Sequence, residues 1–303
     1  MTTDMQVWLN AEFVPKSAAT VSPLSHSFSR ASAIFEIFRV HAGPQGPAAF
    51  RMTDHLNRLL ESARHLHMDL AYTIEDIAKA VSETVLKNNI NDGLVKIMAY
   101  WSEEMMIGLL PSTPADLAIF TAPENEDMQL DSNEAVTACL SKWRKIDPST
   151  VPVEAKACSN YLNAYLARKE AAQRGFDAGI MLDTEDFLAE GSTESVFIIK
   201  AEELQVPPLG RVLASISRMS ILEIADNMGI KTIQKPLTVN DLQQADEMFL
   251  SHTGNKVESV CQFEQNHMEA PGPIAKKLRH QIQRILTFQD DAYKHWMEAL
   301  ASF

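Results

Sequence analysis

The chain has 303 residues, 46% of them apolar, and a formal net charge of −13. This length predicts two domains, and the negative charge argues against nucleic acid and anionic membrane surfaces as partners. No apolar run approaches the roughly 18 residues of a membrane span, and the start "MTTDMQVWLN" lacks the features of a signal peptide. The three cysteines and nine histidines lack the spacing of metal ligands, and the cysteines form no CxxC pair, so we expect no metal site and a reducing cytoplasm.

The first third of the chain mixes strands with helices. "VWLNAEFV", from Val7 to Val14, predicts a hairpin around Asn10 and Ala11. A strand is predicted from Ile34 to His41, and "PAAFR" follows it after a turn rich in glycine and proline. Further strands are predicted at "GLVKIMAYW" and "DLAIFTAP".

Two helices are predicted between these strands. From Thr53 the apolar residues recur with helical spacing, and the predicted inward face consists of Leu56, Leu59, Leu60, Ala63 and His67. Thr73 predicts the start of the second helix, because Asp76 follows it near the capping-box position. Its predicted inward residues are Ile77, Val81 and Val85.

The polar, acidic segment 123–133 is predicted to link a small α/β domain, residues 1–122, to a larger domain, residues 134–303. In the larger domain we expect a strand from Ala135 to Leu140, a helix after Lys156, and short strands at "AGIMLD", "SVFIIK" and "ADEMFL". A helix from Ser215 to about Met228 is expected to end at Gly229, and the C-terminus is expected to be helical. There are too few alternations of strand and helix for a doubly wound sheet, so the predicted class is α+β.

Lys156 stands among small residues just before a predicted helix: Ala155, Ala157, Cys158 and Ser159. A lysine amine becomes a nucleophile when burial or a neighbouring cation favours its neutral form, and its usual product is a Schiff base with a carbonyl. Small neighbours would let a flat ring lie against the backbone. By itself, however, the pattern also fits an ordinary surface lysine.

Other candidate residues are equally ambiguous when each is taken alone. Glu190 precedes a tight Gly-Ser-Thr turn, where its carboxylate could pair with a protonated ring nitrogen or simply face water. Ser215 and Ser217 begin a helix, where they could bind an anion or only cap the helix. Thr253 and Gly254 form a second turn, and Arg58 is predicted on the polar side of its helix as a guanidinium donor or an exposed charge.

As an ordered set these segments resemble the class IV aminotransferases, which are fold-type IV pyridoxal-phosphate enzymes, and among them most of all the branched-chain amino-acid aminotransferases. The segments that carry the resemblance are "FRMTDHLNRLLESA", "AKACSNYLNAYLARKEA", "GIMLDTEDFLAEGSTESVF", "LASISR" and "ADEMFLSHTGNKVESV". The resemblance extends over nearly the whole chain. It implies the D-amino-acid aminotransferase-like fold, with a barrel-like β-structure in the larger domain, and a homodimer with the cofactor at the interface.

The resemblance also implies a role for individual residues. Lys156 matches the lysine that binds pyridoxal 5′-phosphate covalently and later moves the α-proton, and the space beside its small neighbours would be taken by the cofactor. Tyr161 matches the partner of the cofactor's phenolic oxygen, and Glu190 matches the partner of its pyridine nitrogen. Glu194 matches a glutamate that contacts residues of the site but not the cofactor itself. The residues that match phosphate contacts are Arg58, Ile216, Ser217 (in place of a more usual threonine) and Thr253.

The chain departs from the branched-chain pattern where the substrate should bind. "FEIFR" replaces F-E-G-I-R, so Ile37 follows Phe35 and Glu36 where glycine is expected. Arg30 stands at a position where tyrosine is expected. "LVK" replaces Y-I-R, so Leu94 and Lys96 take the places of tyrosine and arginine. "SHTGNK" replaces G-T-A-A-E around Gly254, and Asn255 and Lys256 are therefore also atypical. Ile37 should reshape the side-chain pocket. Arg30 and Lys96 could hold a carboxylate, although Arg30 equally fits a solvent-facing loop charge.

The predicted reaction is therefore transamination between an amino acid, or a related amine, and a 2-oxo acid. The alternatives are a D-amino-acid or (R)-amine transaminase, since "EIFRV" also resembles the E-V-V-K-V of D-amino-acid aminotransferases, and an aminodeoxychorismate lyase of the same fold. A non-catalytic homologue is a further alternative, against which the intact set of Lys156, Tyr161, Glu190 and Arg58 argues.

Overall fold

The structure is a computed structural model, and it describes residues 5–125, 128, 130 and 132–300. Its α-helices are α1 (His26–Arg30), α2 (Met52–His65), α3 (Ile74–Lys87), α4 (Tyr161–Gln173), α5 (Ile216–Asn227), α6 (Val239–Gln243) and α7 (Pro273–Leu286). The first strands are β1 (Gln6–Leu9), β2 (Glu12–Pro15), β3 (Ile34–Gly43), β4 (Gly46–Phe50), β5 (Gly93–Tyr100) and β6 (Asp116–Pro123). The later strands are β7 (Val136–Leu140), β8 (Ala178–Leu182), β9 (Leu188–Glu190), β10 (Ser195–Lys200), β11 (Glu203–Val206), β12 (Thr232–Gln234), β13 (Glu247–Ser251), β14 (Glu258–Phe263), β15 (Asn266–His267) and β16 (Met297–Ala299).

These elements group into two compact units. Of the described residues, unit 1 takes those of Met1–Met128, Ala155–Ser159 and Ile285–Phe303, and unit 2 takes those of Gln129–Glu154 and Asn160–Arg284. The consecutive domains of the sequence analysis, 1–122 and 134–303, stay a prediction. Residues 126, 127, 129 and 131 of the predicted linker lie outside the described residues.

Unit 1 is built on an antiparallel sheet with the strand order β16-β4-β3-β5-β6-β1-β2. Side chains alternate across such a sheet, so every second residue of β3 faces the same way. Ile34 and Phe38 are fully buried in the core, whereas Phe35 and Ile37 lie on the other face and are half-buried. This alternation separates a core face from a face that can hold functional side chains.

The two helices predicted in unit 1 are confirmed with one correction. Thr73 caps α3 through a capping box with Asp76, and the predicted inward residues of α3 are buried. In α2, Leu56, Leu59 and Ala63 are buried as predicted, but the assignment of His67 to this face is wrong. Because α2 ends at His65, the backbone of His67 turns into the left-handed region with φ 50°, and the next residue, Met68, enters the core instead.

Unit 2 is built on a mixed sheet with the strand order β12-β11-β10-β13-β14-β7-β8-β9, and β15 pairs with β14. Three of its neighbouring pairs are parallel: β11 with β12, β14 with β7, and β7 with β8. The predicted α+β class and the curled, barrel-like β-structure are confirmed. Sequence reasoning missed β16 at the C-terminal end, which pairs with β4 in unit 1.

Candidate active site

Lys156 lies in a short extended segment of unit 1 beside the start of β3. Its backbone N–H donates to Ser62 Oγ at 3.0 Å, and its carbonyl accepts from Phe35 N at 3.0 Å. The residue is 8% exposed, and Nζ lies 4.9 Å from the centre of the Phe35 ring. Backbone bonds therefore fix the position of this lysine, and its amine is largely shielded from water.

The small residues beside Lys156 have a structural reason that sequence reasoning did not give. Ala155 and Ala157 are buried and pack into the core of unit 1, on the face opposite to Lys156. Larger side chains there would push the segment away from β3, because core packing leaves little free volume. The prediction that a cofactor explains all the small neighbours is therefore wrong for these two alanines.

Arg58 belongs to a buried charge cluster in unit 1. Its side chain is 10% exposed, so Arg58 is not the exposed helix charge that was its alternative interpretation. Nε donates to Glu36 Oε1 and Nη2 donates to Glu36 Oε2, each at 2.7 Å, and His55 Nδ1 lies 2.7 Å from Glu36 Oε2. Glu36, which sequence reasoning did not select, thus orients the guanidinium through a bidentate pair.

Glu36 is fully buried, and its pKa is the outcome of opposing effects. Burial raises the pKa, whereas the charge and hydrogen bonds of Arg58, together with those of His55, lower it, and the balance places it at about 2. Arg58 and His55 therefore favour the ionised carboxylate well below the pH range in which a glutamate ordinarily becomes protonated.

We expect Glu36→Gln to lower the stability of the protein most strongly at neutral pH. A depressed pKa stabilises the folded state above the ordinary value of 4.5, and this contribution is lost as the pH falls towards about 2. The two pKa values differ enough to contribute about 3 kcal/mol. Urea unfolding of both proteins at pH 7 and pH 2.5 measures the effect, and a difference in unfolding free energy that is the same at both pH values contradicts it.

The tentative substrate residues of unit 1 fall into two groups. Ile37 pairs with Lys96 across β3 and β5, and the exposed Lys96 places its Nζ 5.1 Å from the centre of the same Phe35 ring that Lys156 contacts. Arg30 ends α1 and donates to Ser29 Oγ at 2.6 Å and to the Met105 carbonyl at 3.4 Å. Phe35, Ile37, Lys96 and Lys156 thus share one region, whereas the bonds of Arg30 lie outside the β3–β5 face.

Glu190 ends β9 at the edge of the sheet in unit 2. Its Oε1 forms an ion pair with Lys145 Nζ, and both side chains are nearly buried. The turn that follows is shaped by Glu194, whose carboxylate accepts from Thr193 N at 2.9 Å, from Thr193 Oγ1 at 2.8 Å and from Arg168. A Cβ at Gly191 would lie 2.5 Å from Glu194 Oε2, so any other residue there would displace the Glu194 carboxylate. Glu194 therefore holds the backbone that carries Glu190.

The first turn of α5 in unit 2 presents backbone donors, and α4 begins with Tyr161. Ser215 caps α5 by accepting from Arg218 N at 3.3 Å, and the buried residues Ile216 and Ser217 form the first turn, whose N–H groups favour an anion. Tyr161 is the first residue of α4 and is half-buried. The capping role considered for Ser215 is confirmed, and it leaves the first-turn donors of Ile216 and Ser217 in place.

The turn after β13 contains Thr253 and Gly254. Lys256 Nζ donates to the Thr253 carbonyl at 2.6 Å, and Asn255 Nδ2 donates to the Ser132 carbonyl at 2.9 Å. Gly254 N donates to His252 Nδ1 at 3.2 Å. Asn255 and Lys256, which depart from the branched-chain pattern, are both buried and help to hold the turn.

Comparison with known proteins places these residues in a family. Residues 33–263 match the family described as "Amino-transferase class IV". The chain belongs to the class IV aminotransferases. It is therefore an aminotransferase, and its Lys156, Arg58 and Glu190 segments fall within the matched range.

Individual relatives agree with this assignment. The chain is 27% identical over 301 residues to a branched-chain-amino-acid aminotransferase of Salmonella typhimurium, covering 98% of this chain and 97% of the relative. A crystal structure of the branched-chain aminotransferase from Thermoproteus uzoniensis, with norvaline, matches with a TM-score of 0.93 and 33% identity over 98% of this chain and 99% of that one. The enzyme from Thermobaculum terrenum, solved in its PLP form, matches with a TM-score of 0.92 and 25% identity over 99% and 100%. The predicted fold-type IV architecture is confirmed.

No helix among the residues that the structure describes is long and apolar enough to cross a membrane.

Proposed function

We propose that this chain is a pyridoxal 5′-phosphate-dependent aminotransferase that moves an amino group between a branched-chain or similar amino acid and a 2-oxo acid. The observation that carries the proposal is the shielded amine of Lys156, fixed beside β3 and against the Phe35 ring. The names of the relatives support the branched-chain substrate class.

The residue types present fit this cofactor. A shielded lysine amine suits an aldehyde, and an arginine held by Glu36 suits a phosphate, as do the first-turn donors of α5. A carboxylate that already carries an ion pair, Glu190, suits a protonated ring nitrogen. Each group offers the charge or the hydrogen-bonding capacity that one part of the cofactor requires.

The residues would divide the reaction among them. When bound, the cofactor supplies an aldehyde that takes up the amino group and a ring that withdraws electrons from the α-carbon of the substrate. Lys156 Nζ would hold the aldehyde and, once released, would take the α-proton and return it. Glu190 would hold the proton on the ring nitrogen, and Tyr161 would donate a hydrogen bond to the phenolic oxygen. Arg58, Ile216, Ser217 and Thr253 would bind the phosphate.

We further propose that the protein acts as a cytoplasmic homodimer. Unit 1 exposes a set of large apolar side chains, as protein–protein interfaces do: Phe28, Met106, Ile107, Leu109 and Leu110. A second copy of the chain is the partner that would cover them. Gel filtration at micromolar concentration should then give twice the mass of the 33.8 kDa chain.

The experiment that tests the proposed reaction measures amino transfer. L-Leucine mixed with 2-oxoglutarate should yield glutamate, and omission of 2-oxoglutarate should stop turnover. A lyase would release pyruvate from its substrate without any acceptor, and a D-amino-acid or (R)-amine transaminase would prefer those donors. The names of the relatives do not favour these alternatives. Activity with D-amino acids or (R)-amines alone would overturn the proposal.

Arg30→Ala and Lys96→Ala are each expected to lower kcat/KM for glutamate by roughly 10- to 150-fold, because a charge-assisted contact with a carboxylate contributes roughly 1.5–3 kcal/mol. Arg30 brings a cation to a position where branched-chain enzymes have tyrosine, and Lys96 keeps a cation where they have arginine. An equal loss with leucine would place the contact at the α-carboxylate, and a smaller loss would place it at the second carboxylate.

Matched controls for these variants are Arg64→Ala and Lys79→Ala, which remove exposed cations from α2 and α3. Both controls should keep the activity of the unmodified protein. Should Arg30→Ala and Lys96→Ala behave like the controls with both substrates, the two cations are ordinary surface charges.

A further inference from the structure

Lys145 forms an ion pair with Glu190 that sequence reasoning did not predict. The Lys145 side chain is 7% exposed and that of Glu190 is 12% exposed. Lysine is rarely buried to this extent unless its charge is compensated. Lys145 Nζ contacts Oε1 of this carboxylate. No group in the described part of the chain donates a hydrogen bond to Oε2, so the second oxygen is left for another donor.

The backbone around Lys145 is pinned at three successive residues. The Arg144 carbonyl accepts from Asn163 Nδ2 at 2.9 Å, Lys145 N donates to the Leu182 carbonyl at 2.8 Å, and Ile146 N donates to Asn163 Oδ1 at 3.1 Å. Asn163 lies in the first turn of α4, and Leu182 ends β8, the neighbour of the strand that carries Glu190. Hence the ammonium group is directed at Glu190 by the fold, not by a flexible surface loop.

The charge balance explains why such a lysine is needed. A buried carboxylate without a partner is costly, and removal of one member of a buried ion pair is strongly destabilising. Before a cofactor binds, Lys145 is the cation that compensates Glu190. After binding, a pyridinium would approach the same carboxylate and share that task.

We propose that Lys145 is a positioning residue, which compensates the charge of the Glu190 carboxylate and holds it in place for the ring nitrogen of the cofactor. The inference rests on the proposed function, because it assigns Glu190 to that nitrogen. It implies that Lys145 contributes most to the thermal stability of the protein when no cofactor is bound. A role in packing alone would matter equally with and without the cofactor.

The test compares Lys145→Met in the cofactor-free and the cofactor-saturated full-length protein. Without cofactor, the thermal midpoint should fall by about 5–10 °C relative to the unmodified protein, since Glu190 then lacks its cation. With saturating pyridoxal 5′-phosphate, most of this difference should disappear, because the pyridinium replaces the lost charge. Lys145→Arg should behave like the unmodified protein in both states.

Two further variants isolate the pair. In the Glu190→Gln background, Lys145→Met should lower the thermal midpoint much less than it does in the unmodified protein, because no buried carboxylate is then left without its cation. Lys142→Met, which removes an exposed lysine three residues away, should leave both midpoints unchanged. If Lys145→Met fails to fold while the double variant folds, the charge argument stands; if both fail to fold, Lys145 acts through packing and the inference is wrong.

The outcomes also separate this inference from the proposed function. If pyridoxal 5′-phosphate neither raises the midpoint of the unmodified protein nor produces a visible absorption band, the proposed function fails. If the cofactor does both, but Lys145→Met loses the same number of degrees with and without it, only the role of Lys145 is overturned.

Discussion

Lys156→Ala is expected to abolish turnover and to leave the fold intact. The backbone of this residue bonds to Ser62 Oγ and to Phe35 N, and alanine keeps both bonds. What is lost is the only group to which we assign both the covalent attachment of the cofactor and the transfer of the α-proton. Proton transfer by a positioned side chain alone contributes about 10²–10⁴-fold, so we expect kcat to fall by at least about 10³-fold.

The measurement for this variant joins activity to covalent trapping. Borohydride treatment followed by peptide mapping should mark Lys156 in the unmodified protein and no residue in Lys156→Ala, although the variant should still bind cofactor noncovalently. Lys142→Ala, which changes an exposed lysine, is the matched control and should be trapped normally. Trapping of Lys156→Ala at the level of the unmodified protein would assign the covalent role to another lysine.

Local sequence signals identified most elements because neighbouring residues determine them. The capping box of Thr73 and Asp76 and the hairpin around Asn10 and Ala11 depend on a few adjacent positions, and both are present in the structure. By contrast, β16 consists of three residues that become a strand only by pairing with β4, which is far away in the chain. No pattern within so short a segment indicates such a partner.

Sequence reasoning missed Glu36, the partner of Arg58, and Lys145, the partner of Glu190, for a related reason. Glu36 and Arg58 are 22 residues apart, and their contact requires β3 and α2 to face each other. One signal was present in the sequence. Glu36 lies on the same face of β3 as the buried Ile34 and Phe38, and a carboxylate at a core position needs a cation. Lys145 gave no such signal, because nothing in "SKWRKID" distinguishes it from its exposed neighbours Lys142 and Arg144.

Glu190→Gln is expected to lower kcat by about 100-fold or more at saturating cofactor, with a much smaller effect on cofactor affinity. An amide cannot keep the ring nitrogen protonated, so the substrate's α-carbon would lose the electron-withdrawing group on which proton removal depends. Removal of one preorganised charge interaction in other enzymes typically costs about 10²–10³-fold in kcat. Affinity should change less, because the phosphate contacts and the bond to Lys156 do not involve this carboxylate.

Two comparisons make the Glu190→Gln result specific. The variant also leaves Lys145 without its anion, so the double variant with Lys145→Met shows how much of the loss comes from that stranded charge. Glu190→Asp keeps a carboxylate on a shorter side chain and should retain more activity than Glu190→Gln.

The ¹⁵N chemical shift of labelled cofactor reports directly whether the ring nitrogen carries a proton, and we expect that proton in the unmodified protein but not in Glu190→Gln. A variant that binds the cofactor poorly yet reacts at the normal rate once saturated would show that Glu190 serves binding and not proton retention on the ring.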